Sequence, residues 1–439
     1  MVRLLTHGYF RQRLSQRSEG ILPVFAETED NPVGGRLLLL VPNTSYRISD
    51  FLAAARRVDM QVAVASNHQP VLARNTEGRT LALDFHRPDD AIARIKAYHE
   101  RYPLAAVVST DEATTLLANR ALAVLGLPHN AIEAVKAAGS KLLFRRTLAA
   151  AGVAGPAFCL ISEAMDPTAI ATRQSYPCVL KPLALAGSRG VIRADDPTEF
   201  VAAVTRIRKI LADPETPGPR EILVEEYLPG PEVALEGLMD GGTLRVLAIF
   251  DKPDPLEGPF FEETLYVTPS RHSPALQRSI EQATQQAVQA LGLTDGPIHS
   301  ELRLTPSGTI VIELAARSIG GLCARTLRFG VGLSLEDLIL RHALGLPIVT
   351  TAREAQAAGV MMVPIPRGGK LTAVDGITEA EAVNGIEAVT ISIGPGQRVV
   401  PLPEGNRYLG FIFARAETPE AVEAALRDAH ALLRFAIEE

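Results

Sequence analysis

The chain has no tryptophan, and its 439 residues include only three cysteines and 5% aromatic residues. Cys159, Cys178 and Cys323 are isolated in the sequence and odd in number. This spacing indicates neither a disulfide framework nor a cysteine-based zinc site, so we expect all three to be small core residues. The nine histidines form no closely spaced group either, and a histidine-based metal centre is not expected.

The sequence also lacks long apolar runs and a large excess of one charge. No apolar stretch approaches the length of a membrane span, and the first residues lack the apolar segment of a secretory signal. A net charge of -6 gives no overall basic surface for nucleic acid. We therefore expect a cytoplasmic protein that binds neither membranes nor nucleic acid, with a homo-oligomer left open. Four arginines make the first segment locally basic, which we interpret as a solvated end: Arg3, Arg11, Arg13 and Arg17.

Short apolar runs alternate with helical apolar spacing in the first segment, which we bound at 1–128. Leu37 to Val41 has the first pattern, and Ile48 to Val58 has the second. Such alternation predicts a doubly wound parallel sheet with a crevice at its strand ends. The loops 42–45 and 109–112 would line that crevice, and the alternative is an ordinary scaffold. The segment contains no dinucleotide-binding or P-loop motif.

A stretch near residue 300 predicts a β-hairpin with two facing carboxylates. Residues 299–305 and 309–315 alternate apolar and polar, and Pro306-Ser307-Gly308 predicts a three-residue loop between them. Counting evenly outward from that loop places Glu301 opposite Glu313. At about 5 Å and an effective dielectric of about 20 the two charges repel by roughly 3 kcal/mol, a cost that a divalent cation reverses. The hairpin thus predicts a magnesium site, and the alternative is two solvated glutamates.

The middle of the chain has two lysines in positions suited to phosphate. Lys141 lies in the first turn of a predicted helix capped by Ser140, where a cation is unfavourable unless an anion binds beside it. Lys181 ends an apolar strand and precedes the loop Gly187–Gly190, whose glycines let backbone N–H groups approach oxygen atoms. Either signal alone is weak, and solvated lysines with an ordinary turn are the alternative.

Five motifs then follow one another in a fixed order along the chain. They are Lys141, YPCVLKP with the loop GSRGV, VEEYLPGPEV, HSEL, and VIELAARSIGG. In this order and spacing they resemble the ATP-grasp superfamily of carboxylate-amine ligases over residues 130–346. Near the end, GGKLTAVDG, GPGQRVVPLP and YLGFIFARAETPEAVEAAL resemble the C-terminal domain of the L-amino-acid ligase branch, which forms dipeptides.

The resemblance implies an α/β fold with an α+β ATP-grasp core. It divides the chain into an N-terminal doubly wound domain (1–128), an ATP-grasp small lobe (129–228), a large lobe with the metal site (229–346) and a C-terminal α/β closing domain (347–439).

The resemblance also implies ATP and Mg²⁺, and it places ten residues around the nucleotide. The residues implied to bind the phosphates are Lys141, Lys181, Gly187, Ser188 and Gly190. Those implied to form the adenine hinge are Glu225, Glu226, Tyr227 and Leu228, and Glu232 is implied to bind the ribose.

The same resemblance implies the metal ligands and the substrate residues. Glu301 and Glu313 match the magnesium ligands, but Ala315 stands where the family often has an asparagine, which leaves a second metal without that ligand. Arg317 resembles the arginine that faces the transferred phosphoryl group, with backbone donors at Gly320 and Gly321. Glu263 resembles the glutamate that meets the amino group of the first substrate, and Glu262 is the alternative match.

The expected activity is the ADP-forming ligation of a carboxylate and an amine, both expected to be amino acids, through an acyl phosphate. The expected catalytic residues are Lys141, Lys181 and Arg317. Two alternatives stay open: an ATP-grasp enzyme that acts on bicarbonate or a purine precursor, and a non-catalytic nucleotide-binding regulator. The sequence identifies neither substrate.

Overall fold

The computed structural model describes residues 34–43, 45, 47–67, 78–214, 216 and 218–439. The locally basic stretch with Arg3, Arg11, Arg13 and Arg17 lies outside these residues, as does Thr44 of the loop 42–45. Within the described ranges, no helix combines the length and the apolar character that crossing a membrane requires.

The first described segment is a parallel sheet flanked by helices, which confirms the predicted doubly wound arrangement. The strands are β1 (Arg36–Leu40), β2 (Val62–Ser66), β3 (Thr80–Ala82) and β4 (Leu104–Ser109), and the helices are α1 (Ile48–Arg57), α2 (Pro88–Arg101) and α3 (Glu112–Leu125). Their order is β3-β2-β1-β4, with parallel pairing throughout. Leu37 to Leu40 are all fully buried, because a parallel sheet is covered on both faces.

The loops after β1 and β4 meet at one edge of this sheet, since the two strands are neighbours. The hydroxyl oxygens of Ser45 and Thr110 are 3.2 Å apart. The first segment therefore directs both predicted crevice loops to one place.

The next segment is a small antiparallel sheet with order β5-β8-β6-β7. Its strands are β5 (Phe158–Ile161), β6 (Cys178–Pro182), β7 (Ile192–Ala194) and β8 (Ile222–Glu226), and its helices are α4 (Ile132–Ala138), α5 (Lys141–Ala150), α6 (Pro167–Ala171) and α7 (Pro197–Leu211). Ser140 caps α5 as predicted, because its hydroxyl accepts from the N–H of Leu143.

An eight-stranded antiparallel sheet forms the centre of the molecule, with order β13-β12-β9-β10-β11-β16-β20-β18. The remaining strands in chain order are β9 (Glu232–Asp240), β10 (Thr243–Asp251), β11 (Leu265–Thr268), β12 (Gly296–Thr305), β13 (Gly308–Ala315), β14 (Arg328–Phe329), β15 (Leu333–Ser334), β16 (Ala357–Val363), β17 (Gly369–Asp375), β18 (Ile386–Ile391), β19 (Arg398–Val399), β20 (Gly410–Ala416) and β21 (Arg434–Glu438). The remaining helices are α8 (Pro274–Leu291), α9 (Leu335–Ala343), α10 (Ile377–Glu381) and α11 (Pro419–Leu432).

This sheet contains strands from both sides of the predicted domain boundary at 346/347, because β11 pairs with β16. The four predicted domain ranges remain predictions, but the last two share one sheet. Helix α8 packs on the β13 side of the sheet and α11 on β16 and β20. The apolar faces of these amphipathic helices close the core on that sheet.

The cysteines divide into two environments. Cys178 and Cys323 are buried, as predicted, and burial together with nearby anionic groups raises the pKa of each thiol to about 12. Cys159 is exposed, so the prediction of three core cysteines was wrong at this position. Cys159 lies on β5 at the edge of its sheet, where one face of a short strand meets solvent.

Candidate active site

The loop of the β12–β13 hairpin differs from the prediction. Thr305 pairs with Gly308, so the loop consists of two residues, Pro306 and Ser307, and not three. Each β12 residue near the turn therefore pairs with the β13 residue one position before its predicted partner.

Glu301 nevertheless lies opposite Glu313, as predicted. A β-bulge restores this register, because Leu302 pairs with Val311 while Glu301 pairs with Glu313, which leaves Ile312 as the extra residue. The facing carboxylates therefore depend on the bulge, and their role as metal ligands stays a prediction.

Arg145 on α5 binds the backbone of the bulge. Its guanidinium donates to the carbonyl of Val311 at 3.0 Å and to that of Ile312 at 2.6 Å. The same group donates to both carboxylate oxygens of Glu225, at 2.5 and 3.3 Å. Sequence reasoning missed Arg145; its only local signal is a position one helical turn after Lys141, on the same helix face.

Glu225 on β8 lies between two cations. It pairs with Arg145 and, at 2.6 Å, with Lys181 on β6. Burial favours the neutral acid, but the two positive charges outweigh it and lower the pKa of Glu225 to about 2. Glu225 therefore holds Lys181 at the end of its strand, where the phosphate loop begins.

The backbone N–H groups after Glu225 are bonded at the first two residues and free at the third. The N–H of Glu226 donates to Ala157 O at 2.9 Å, and that of Tyr227 donates to Pro177 O at 3.1 Å. Within the described part of the chain, the N–H of Leu228 donates to no other residue. Leu228 thus offers a free donor at the end of the predicted adenine hinge.

The predicted phosphate loop has a left-handed backbone. Gly187, Ser188 and Gly190 have φ angles of 63°, 55° and 73°. A Cβ at Gly190 would lie 2.6 Å from the ring of Pro182, so this position requires glycine. Lys141 reaches the backbone just before this loop, because its ammonium donates to Leu185 O at 2.7 Å.

The C-terminal segment holds this loop from outside. The N–H of Gly190 donates to Pro403 O, and the Nε of Arg189 donates to Glu404 O, each at 2.8 Å. The loop therefore contacts residues of both the second and the last predicted segment.

Lys252 lies among three glutamates that the sequence assigns to three different ligands. Its ammonium is 2.5 Å from Glu232 and 3.5 Å from Glu301, and it also contacts Glu263. Burial lowers the pKa of Lys252, but the three carboxylates raise it well above its ordinary value. Sequence reasoning missed this lysine, which lies in an irregular loop directly after β10 and matches no motif.

Burial raises the pKa of Glu263 to about 7, with Lys252 acting against that rise and the carboxylates of Glu301 and Glu232 adding to it. The hydroxyl of Tyr266 donates to Glu263 at 2.8 Å. Glu263 lines both cavities described below, whereas Glu262 lines neither, which favours Glu263 over the alternative match.

His299 connects two further carboxylates. Its Nδ1 is 2.5 Å from Glu236 and its Nε2 is 3.3 Å from Glu301. Burial lowers the pKa of His299, but Glu236 and Glu301 raise it to about 9, so the ring is an imidazolium at neutral pH. Burial raises the pKa of Glu301, yet Lys252 and His299 hold it below its ordinary value.

Arg317 lies just after β13 and contacts the first segment of the chain. Its Nε is 2.8 Å from Glu112, the first residue of α3, and its Nη1 donates to Ser318 O at 2.8 Å. The buried guanidinium of Arg47 holds the following backbone, since it donates to the hydroxyl of Ser318 and to Ile319 O. Gly321 has a φ of 58°, and a Cβ there would lie 3.2 Å from the ring of Phe411.

Two adjoining cavities collect these residues. The first has about 790 Å³ of free space and is lined by the lysines, the hinge and Glu232; the second has about 1430 Å³ and is lined by Arg317, Gly320 and Gly321. Every predicted site residue except Gly190 lines one of the two cavities. They meet at Ala186, Gly187, Ser188, Glu263, Glu301 and Glu313, which line both.

Three family models match consecutive parts of the chain. They are the ATP-grasp N-terminal domain at residues 52–129, the ATP-grasp domain at 174–326 and the L-amino acid ligase C-terminal domain 2 at 361–438. The chain belongs to the ATP-grasp superfamily, in its L-amino-acid ligase branch. Members of this branch are ATP-dependent ligases that form carbon–nitrogen bonds, and this ATP-grasp chain is an enzyme of that class.

Two curated relatives are named as a ligase and a synthase. The alanine–anticapsin ligase of Bacillus subtilis is 25% identical over 58% of this chain and 58% of its own length. Dapdiamide A synthase of Enterobacter agglomerans is 28% identical over 53% of this chain and 55% of its own. These alignments span little more than half of each relative.

The fold of this ATP-grasp chain also matches a solved structure. The crystal structure of the L-amino acid ligase from Bacillus licheniformis superposes with a TM-score of 0.75 at 24% identity, over 92% of this chain and 100% of that one. At this identity the likeness shows the fold, and the two substrates of this chain are a separate question.

Proposed function

We propose that this chain uses ATP to join the carboxylate of one amino acid to the amine of another, releasing ADP and phosphate. The observation that carries the proposal is the junction of the two cavities at the phosphate loop and the facing carboxylates. A nucleotide in the first cavity then presents its terminal phosphate to a carboxylate in the second. The name of the alanine–anticapsin ligase supports a ligation in which one substrate is an amino acid.

The first cavity suits ATP along its whole length. Lys141 and Lys181 line it together with the phosphate loop, the free N–H of Leu228 would donate to the base, and Glu232 would accept from the ribose hydroxyls.

The residues present fit a magnesium ion by the chemistry of their donors. Carboxylate oxygens are the hard ligands that Mg²⁺ prefers, and Glu301 and Glu313 face each other on neighbouring strands. The side chain of Glu313 is exposed to the cavity, and the lowered pKa of Glu301 keeps that group ionised. Glu301 and Glu313 would hold the ion, which supplies positive charge against the phosphates when bound.

The reaction then has two steps without a protein nucleophile. A carboxylate oxygen of the first substrate bonds to the terminal phosphorus of ATP while the bond from that phosphorus to the ADP oxygen breaks. The amine nitrogen of the second substrate next bonds to the acyl carbon while the bond to phosphate breaks, and the nitrogen releases a proton. Lys141, Lys181 and Arg317 balance the negative charge that moves in each step.

Glu263 would bind the amino group of the first substrate. It lies at the junction of the cavities with Lys252 and Tyr266 as its partners, so an incoming ammonium meets an oriented carboxylate. Arg317 and the backbone at Gly320 and Gly321 line the second cavity on the side of the acyl group.

A screen of amino acid pairs tests the proposal directly. We expect phosphate release that requires ATP, Mg²⁺ and both amino acids, together with a dipeptide of the corresponding mass. ADP formation that depends on bicarbonate or on a purine precursor would favour the first alternative. Tight ATP binding without turnover for any pair would favour the non-catalytic regulator.

A further inference from the structure

Lys252 occupies a place that is geometrically suited to a metal ion. One carboxylate oxygen from each of Glu232, Glu263 and Glu301 lies within 4.8 Å of the others, close enough to ligate a single cation. The ammonium of Lys252 contacts all three, and its side chain is 2% exposed. An ammonium has three N–H donors, which matches the three acceptors around it.

The surroundings fix the ammonium in this position. The ring of Tyr266 lies 4.9 Å from its nitrogen, and the hydroxyl of the same residue donates to Glu263. Arg303 and His299 also contact these glutamates. Arg303 lies 3.0 Å from Glu232, and His299 lies 3.3 Å from Glu301. Within the described ranges, Lys252 alone contacts all three carboxylates.

The side of Glu301 opposite Lys252 has fewer side-chain oxygens that could bind a metal ion. Glu313 lies across the hairpin, and Ala315, two residues further on the same strand face, adds a methyl group and no oxygen to the second cavity. The junction and the adjoining wall of the first cavity thus have four glutamates, of which three surround a lysine and the fourth, Glu313, is exposed. A divalent ion placed among the three would have to displace a buried ammonium, whereas an ion at Glu313 would not.

We propose that Lys252 is a built-in cation that excludes divalent metal from Glu232 and Glu263 and confines the metal ion to Glu301 and Glu313. This inference rests on the proposed function, because it reserves Glu232 for ribose hydroxyls and Glu263 for a substrate ammonium. It implies that Glu232 and Glu263 of the native chain bind no divalent ion, and that removing the lysine charge creates an additional site there.

Counting bound Mn²⁺ on the full chain tests this inference. Electron paramagnetic resonance of free Mn²⁺ gives the stoichiometry, first without nucleotide and then with a non-hydrolysable ATP analogue. In both conditions we expect Lys252→Met to bind one Mn²⁺ more than the native chain, and Mn²⁺ to raise its melting temperature more. The double variant Lys252→Met with Glu232→Gln should bind the added ion at least about 10-fold more weakly, since ligand charge sets such affinities. Lys136→Met, which removes an exposed lysine charge, should leave the count unchanged.

Two results would overturn the inference. One is a folded Lys252→Met variant that gains no ion in either condition. The other is a native chain whose Mn²⁺ count without nucleotide falls on Glu232→Gln, because the metal would then already use that carboxylate. The second measurement needs no Lys252 variant, so it decides the matter even if Lys252→Met does not fold. If the ATP analogue does not bind, the proposed function fails, while the counts without nucleotide still test Lys252.

Discussion

The guanidinium of Arg317 forms an ion pair with Glu112 across 2.8 Å, joining the end of β13 to the first turn of α3. Burial lowers the pKa of Arg317, but Glu112 and neighbouring carboxylates raise it above its ordinary value, so the group is cationic at every relevant pH. The pair gives Arg317 a fixed direction at the wall of the second cavity. It also raises a specific question, because an arginine in an ion pair can act in structure, in chemistry, or in both.

Substitution of Arg317 by alanine separates these roles. If Arg317 stabilises charge that develops in phosphoryl transfer, Arg317→Ala lowers kcat by about 10²- to 10³-fold, the usual effect of losing one preorganised donor, with a much smaller change in ATP affinity. Lysine should rescue poorly, because a point charge cannot reproduce the planar fork. Single-turnover ADP formation, nucleotide affinity and melting temperature are measured on the same preparation. Normal single-turnover chemistry in a destabilised variant would sink the catalytic role, and Glu112→Gln is the matched control that retains the arginine.

Glu313 is the partner of Glu301 in the predicted metal pair. We expect Glu313→Gln to abolish magnesium-dependent turnover while the fold is retained, because the change removes one charged ligand from an exposed strand position. Phosphate release across a magnesium series measures the effect. The control is Glu281→Gln, which removes an exposed glutamate on α8. Near-normal turnover of Glu313→Gln at low magnesium would remove Glu313 from the metal site.

The low pKa of Glu225 predicts a pH dependence of stability. Its folded pKa is about 2, against an ordinary value of 4.5, so the carboxylate favours the folded state above pH 4.5. That contribution, about 3 kcal/mol from the shift, is lost as pH falls from 4.5 through 2. Glu225→Gln should therefore flatten the curve of unfolding free energy against pH in this window, measured by urea denaturation. Glu226→Gln is the exposed control, and a Glu225→Gln curve parallel to the native one would contradict the buried ion cluster.

The three cysteines should differ sharply in reactivity. At pH 8 a thiol with a pKa of about 12 is ionised to roughly one part in 10⁴, so Cys178 and Cys323 should react only after unfolding. Cys159 is exposed and should give one fast equivalent with a disulfide reagent on the native chain. Cys159→Ser should remove that fast phase. A remaining fast phase in this variant would mean that one of the other thiols is accessible.

The sequence predicts the parallel sheet and the carboxylate pair for different reasons. The apolar run Leu37–Leu40 reflects only the burial of both sheet faces, so the local sequence pattern was sufficient to predict this strand. The Glu301–Glu313 pair was predicted from a loop one residue too long, and a bulge compensated the error. Two carbonyls in the bulged stretch are bound by Arg145, more than a hundred residues away, so no count along the hairpin could have revealed it.

The residues that the sequence did not predict share one property, namely that their partners come from other elements. Lys252 meets glutamates of β9 and β12, His299 on β12 meets Glu236 on β9, and Glu112 reaches Arg317 from the start of helix α3. Their charges matter only in the low dielectric that tertiary packing creates. Motif order placed the residues of the two cavities, but the ion pairs that orient them required the assembled fold.

The hydrogen bonds from the loop 187–190 to Pro403 and Glu404 have a kinetic consequence. If this loop covers the nucleotide as proposed, release requires the loop to part from the C-terminal segment, which breaks both bonds. We then expect the residence time of ADP to depend in part on residues that touch neither phosphate nor substrate. We expect stopped-flow release of ADP to quicken when Arg189 is replaced by alanine, even though its guanidinium bonds to a carbonyl on the far side of the loop.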